Sequence, residues 1–146
     1  MKPVLLGMNN PHRAGDPLSP DETTGLRLRE LSGLTRDDYI AAFDRMNLIE
    51  SRKWSAIAAR YDAARIRRDL VGRRVIVLGI DVWQAIGLPS APWFVTCDRY
   101  GASWSLIPHP SGRNPIYNNK EFCTETRRFL QGFVVEYVQE TIDPNG

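Results

Sequence analysis

The only two histidines, His12 and His109, each lie in a stretch crowded with turn-forming residues. His109 stands in Pro108-His109-Pro110-Ser111-Gly112-Arg113-Asn114-Pro115, with a proline on either side. Proline fixes its own φ and restricts the residue before it, so the imidazole is aimed rather than free to wander. Aiming is what a hydrogen-bond donor in catalysis needs. Gly112 then allows the backbone to come close to a ligand. His12 falls in Asn9-Asn10-Pro11-His12-Arg13-Ala14-Gly15-Asp16-Pro17-Leu18-Ser19-Pro20, which has three prolines and no helical periodicity. One loop histidine alone reads as a polar surface residue. Two of them, each after an apolar strand-like run, point toward one shared cleft.

Several chemistries can be weighed on these residues. Ser111 lies two residues from His109, and Asp16 or Asp98 could orient the ring in a hydrolytic triad. The strand-turn-helix nucleophile elbow of the G-x-S-x-G kind is missing, which sets an esterase-like reading last. Two histidines among scattered carboxylates show no metal-ligand spacing, and Cys97 and Cys123 form no zinc pattern. They read as free buried thiols. No G-x-x-x-x-G-K-[ST] phosphate loop is present, and Gly79 and Gly87 are spaced wrongly for a dinucleotide fingerprint. No cofactor is called for.

The elements that must position these loops follow from the hydrophobic pattern. Lys2 to Gly7 reads as a short buried strand, and Ser19-Pro20-Asp21-Glu22 has capping-box form for a helix running to about Leu31, closed by Gly33. Thr35 caps a second helix, with Asp38 three residues on, and Asn47 to Glu50 reads as a short strand or extended edge. Ser51 to Leu70 is the longest helical pattern. It carries one stripe of Trp54, Ile57, Ala58 and Tyr61 and another of Ala59, Ala63, Ile66 and Leu70. Arg73 to Asp81 is a continuous apolar run of the type buried on both faces of a parallel sheet. A short helix, a hairpin of Trp93–Asp98 with Ala102–Pro108 turning at Arg99-Tyr100-Gly101, and a final helix capped by Asn118 or Asn119 complete the order. Strands alternating with helices predict an α/β fold, a three-layer α/β/α sandwich around a mostly parallel four-stranded central sheet. Ligands of such sheets bind beyond the carboxyl ends of the strands.

The 146 residues are 42% hydrophobic, which suits one domain, residues 1 to 146, with its own core. No apolar run is long enough to cross a bilayer, and the amino terminus has no small-residue cleavage site. A monomer in the cytoplasm, with no membrane partner, is expected. Net charge is +2, only weak support for a polyanionic partner. Six arginines, Arg60, Arg65, Arg67, Arg68, Arg73 and Arg74, fall within fifteen positions. They read either as a solvated helix face or as a phosphate-binding patch.

The two loops together resemble the uracil-DNA glycosylase superfamily, and most closely its single-strand-selective monofunctional members. That family's first motif is G-M-N-P-G-P followed by a glycine-proline-phenylalanine stretch, beside Gly7-Met8-Asn9-Asn10-Pro11 here. Its second motif is H-P-S-P-R-N-P, and His109 to Pro115 departs from it only at Gly112. The resemblance covers both ends of the chain, with a looser likeness at Arg73 to Gly87.

The resemblance implies a DNA glycosylase that extrudes a base from single- or double-stranded DNA and hydrolyses its N-glycosidic bond, in base excision for repair or in DNA modification. His109 would donate a hydrogen bond to the base O2 as that oxygen gains charge. An asparagine would position the attacking water: Asn9 counting forward from Gly7-Met8, Asn10 counting back from Pro11. Gly7, Met8, Pro11 and His12 would line the base site. Ser111, Gly112, Arg113 and Asn114 would press on the DNA backbone and fill the gap left by the flipped nucleotide. Asn47, placed at the opening of the second strand, either reads the pyrimidine edge or simply starts that strand. Leu18 stands where the family stacks the base on phenylalanine, and His12 offers another stacking ring. This departure and the short chain leave open a second expectation, a glycosylase-fold protein that binds DNA or serves base modification without excising uracil.

Overall fold

In the computed structural model, residues 1–9 and 16–142 are described. Five strands form one sheet in the order β2-β1-β3-β5-β4. They are β1 (Val4–Gly7), β2 (Asp44–Asn47), β3 (Arg74–Leu78), β4 (Thr96–Arg99) and β5 (Ala102–Ile107). The first three and β5 run parallel, and β4 is antiparallel to β5. The sheet thus has one strand more than the four expected. Tyr100 (φ 54°) and Gly101 (φ 73°) both take positive φ, the two-residue hairpin conformation that folds β4 back onto β5.

Helices cover both faces of the sheet, giving three layers. On one side, α3 (Ala56–Asp69) and α4 (Ile80–Ile86) pack against Val4, Leu6, Val75, Val77, Trp104 and Leu106. On the other, α1 (Thr23–Ser32), α2 (Arg36–Ala42) and α5 (Lys120–Ile142) meet Leu5, Ile76, Leu78 and Ile107. Both faces of β3 are therefore covered, which explains its unbroken apolar run. The two most buried indoles still satisfy their N–H groups, Trp83 to the Pro89 carbonyl at 2.7 Å and Trp104 to that of Arg99 at 2.8 Å.

Local signals set several boundaries. The Thr35 hydroxyl accepts from the Asp38 amide, and Asn119 rather than Asn118 caps α5 by accepting from Phe122. Gly33 closes α1 in the left-handed conformation. The capping box expected at Ser19 does not form. Ser19 accepts from the Asp21 and Glu22 amides in a turn, and α1 starts at Thr23, with Glu22 in the N-cap position. The long central helix also starts later than its periodicity predicts, at Ala56 behind a Ser55 cap.

Only one of the two α3 stripes is wholly core; in the other, Trp54 and Ala58 pack half-buried against it. Ala59, Ala63, Ile66 and Leu70 are buried, whereas Ile57 is 81% and Tyr61 86% exposed. The small alanines let α3 lie close to the sheet, and that leaves the larger side chains outside. Cys97 and Cys123 are free and half-buried, so neither is a fully buried thiol. Among the described residues no helix is long and apolar enough to cross a membrane.

The two isoleucines of α3 give a direct check of this orientation. Ile66→Ala should cost about 2–5 kcal/mol of unfolding free energy, read from the urea midpoint. Ile57→Ala should stay within about 0.5 kcal/mol of the parent, because it removes no core contact.

Candidate functional site

The carboxyl ends of the four parallel strands share one edge of the sheet, and Gly7, Asn47 and His109 are found at it. Gly7 ends β1 and sits in register with Asn47, which ends β2. Asn47 therefore closes its strand rather than opening it, and this brings its side chain to the edge where ligands bind. Pairing of the two segments continues past the strands, with the Leu48 amide donating to the Gly7 carbonyl and that of Ile49 to Met8. A Cβ at position 7 would lie 2.5 Å from Asn47 Oδ1 and 3.0 Å from Leu18 Cδ2. Only glycine permits that approach. Asn47 Oδ1 is buried and accepts no hydrogen bond among the described residues.

Asn9, two residues beyond β1, is half-buried and donates from Nδ2 to the Arg52 carbonyl at 2.8 Å. This bond fixes its amide and leaves Oδ1 as the available acceptor. Asn10, Pro11 and His12 lie outside the described residues, so the choice between Asn9 and Asn10 is not made by geometry. Met8 is half-buried against the α3 and α4 layer, as a packing residue.

Leu18 is pinned from several directions. Its carbonyl accepts from the Tyr39 hydroxyl at 2.9 Å, and Arg45 bonds the Pro17 carbonyl and pairs with Asp16 at 3.0 Å. Burial pushes the Tyr39 phenol well above its ordinary range, which keeps it a proton donor. Behind the segment, Gly25 of α1 lacks a Cβ that would fall 1.9 Å from the Ser19 carbonyl oxygen. Leu18 itself holds a left-handed φ of 52°, costly for leucine and sustained by these contacts.

On the other side of β1, the apolar β3 ends at Leu78, followed by Gly79 with φ 97°. A Cβ there would lie 3.2 Å from His109 Cβ. His109 thus packs over the end of β3 after leaving β5. Its loop is braced from below, since Tyr117 donates to the Pro108 carbonyl at 2.6 Å and Asn114 Nδ2 to the His109 carbonyl at 3.1 Å. Asn114 Oδ1 also accepts from the Ile116 amide. Asn114 therefore braces the loop through both ends of its amide. Ser111 is half-buried, while Gly112 and Arg113 are exposed at the tip.

The His109 ring makes no hydrogen bond among the described residues. Burial lowers its pKa below the ordinary value, and Asp81, in the first turn of α4, opposes that shift. The neutral imidazole is the favoured form. Sequence reasoning missed the supporting residues Gly25, Tyr39, Gly79 and Asp81. Of these only Gly79 carried a signal, as a glycine directly after the most apolar run. No group of three or more His, Cys, Asp or Glu side chains among the described residues could hold a metal ion. The arrangement offers instead one neutral imidazole, one oriented asparagine and one buried amide oxygen awaiting a donor. No protein-family model matches the chain, and no curated protein matches it.

The state of His109 can be followed directly. Its ring resonances should titrate with a midpoint below 6.5. A midpoint above that value would mean that the Asp81 charge outweighs burial. The unfolded chain takes up this proton first, so the His109 contribution to stability is complete above about pH 6.5. It is lost as pH falls through the folded-state pKa, and His109→Gln should flatten that part of the stability profile.

Proposed function

We propose that the chain is a monofunctional DNA glycosylase acting on uracil or a modified pyrimidine, without metal or organic cofactor. The observation that carries this reading is a pair of groups at the strand ends with no hydrogen-bond partner among the described residues, the buried Asn47 Oδ1 and the half-buried His109 ring. They belong to β2 and to the loop after β5, and since His109 packs over Gly79 at the end of β3, they stand about two inter-strand steps apart, or roughly 10 Å between backbones. A flat heterocycle extruded from DNA fits between two side chains that reach inward from such a span. It offers an N–H to the first and a carbonyl oxygen to the second.

The reaction is the attack of water oxygen on C1′ while the bond between C1′ and the base nitrogen breaks. The bonding electrons leave with the base, and negative charge gathers on its O2. His109, neutral and aimed by its prolines, donates a hydrogen bond to that oxygen and lowers the barrier by preorganisation. Asn9, or Asn10, holds the water through its amide oxygen. The water's second proton passes to solvent, and the base is protonated on release. Lys2 precedes β1, Lys120 opens α5 and Lys53 is exposed, which leaves water as the nucleophile in this reading. Leu18 supplies an aliphatic wall beside Gly7 and Asn47, so base discrimination rests on hydrogen bonding more than on aromatic stacking.

Excision is tested with oligonucleotides carrying uracil or 5-substituted uracils, single- and double-stranded, followed by alkaline cleavage of abasic sites. Strand breaks are expected, and His109→Ala should slow their appearance about a hundred- to a thousandfold. Unchanged rates in that variant would remove His109 from the mechanism. If no base in the panel is released while the protein retards DNA in a gel, the binding reading replaces excision.

A further inference from the structure

The arginine-rich face of α3 is not used by the strand-end site. Its outer surface carries Ile57, Arg60, Tyr61, Ala64 and Arg68, spaced so that they form one exposed stripe ending at Val71. Exposing large side chains at 81% and 86%, as Ile57 and Tyr61 are, has no packing rationale within the chain. At the far end, Ala64, Arg67, Arg68, Val71 and Tyr100 line an open depression of about 420 Å³. Tyr100 stands at its edge as a fixed ring. Its hydroxyl donates to the Gly87 carbonyl at 2.8 Å, and the guanidinium groups of Arg67 and Arg99 lie 4.8 and 5.4 Å from its centroid.

The charges along this stripe are not balanced by neighbouring acids. Arg65 pairs with Asp69, and Arg73 and Arg74 are tied to Asp44 and to Glu136. Arg60, Arg67, Arg68 and Arg99 have no carboxylate partner among the described residues; Asp62 and Asp98 are the remaining acids nearby. Arg67 donates to the Ile86 carbonyl at 2.7 Å, whereas the exposed guanidinium groups of Arg60 and Arg68, beside Tyr61 and Tyr100, match a strand of phosphates and unpaired bases. Phosphates neutralise the arginines and bases stack on the rings. A folded acidic protein would satisfy the charge but would leave the ring held at Tyr100 without a purpose.

The face is also continuous with the candidate site. Asn9 bonds the Arg52 carbonyl, and α3 begins at Ala56, so the stripe starts at the site's rim and runs down the helix. Fourteen residues of helix cover about 21 Å, the length of a few nucleotides. We propose that the outer face of α3, with the Tyr100 turn, binds a single-stranded nucleic acid segment that leaves the strand-end site along the helix. Binding itself stands independently of base excision; only the direction of the strand rests on the function proposed above.

The test uses the full chain and a labelled oligodeoxyadenylate, which offers no uracil and so separates this face from excision. Fluorescence anisotropy is read across a salt series. Arg60→Glu with Arg68→Glu should weaken binding at least tenfold and lower the salt slope by about 1.4, the share of two phosphate contacts on a single strand. Tyr61→Ala should cost about fivefold or more through lost stacking. All three side chains are exposed, so thermal unfolding should be unchanged and loss of fold is not the cause. Unchanged affinity and slope in the charge-reversed variant would overturn the proposal. So would a loss seen only with Arg113→Glu at the loop tip. Equal affinity for an oligoglutamate peptide would also overturn it, as the mark of a protein-docking surface.

Discussion

Burial of β3 on both faces is the constraint from which the rest of the structure follows. Val75, Ile76, Val77 and Leu78 are completely inaccessible, and none of them can be exposed without a large loss of hydrophobic free energy. The strand must therefore lie between β1 and β5 and between two layers of helices. With β1, β3 and β5 locked in parallel, their carboxyl ends fall on one edge. The ends of β1 and β5, far apart in sequence, reach the same side of the sheet for that reason.

At this edge, glycine decides what side chains can do. Gly7 leaves room for Asn47 Oδ1, which a Cβ would meet at 2.5 Å, and Gly79, at φ 97°, lets His109 pack where a Cβ would lie a tight 3.2 Å away. The backbone around these residues is braced by groups that do not face the cleft. Tyr39 and Arg45 hold the Leu18 segment, while Tyr117 and Asn114 hold the His109 loop. Among the described residues at this edge, Asn47 Oδ1 and the His109 ring have no hydrogen-bond partner. An unsatisfied buried acceptor costs about 1–3 kcal/mol, a strain that a ligand donor would relieve.

The helix α3 separates two roles by size. Alanines at 59 and 63 face the sheet and draw the helix close, and the larger Ile57 and Tyr61 are left on the outside beside the arginines. In the reading advanced here, one helix thereby links the core to a nucleic-acid surface. Sequence periodicity shows that α3 has two apolar stripes but gives no rule for which one is buried. The choice depends on how near the sheet lets the helix come.

Element types and the apolar central strand were legible from sequence because hydrophobic period and Gly, Pro and Asn punctuation are local properties. His109 was legible for the same reason, since two flanking prolines restrict it whatever the fold around it. The closing position of Asn47 in β2, the joining of all five strand-like segments into one sheet and the use of Asn114 in loop bracing were not legible. Each depends on which backbone groups lie opposite, and register is fixed only when strands pair. The sequence by itself determined that both histidines fall in turn-rich segments that follow apolar strand-like runs. The tertiary structure alone decided that Asn47 and Leu18 meet at Gly7 and that His109 packs over Gly79, because that depends on close backbone approach between segments remote in the chain.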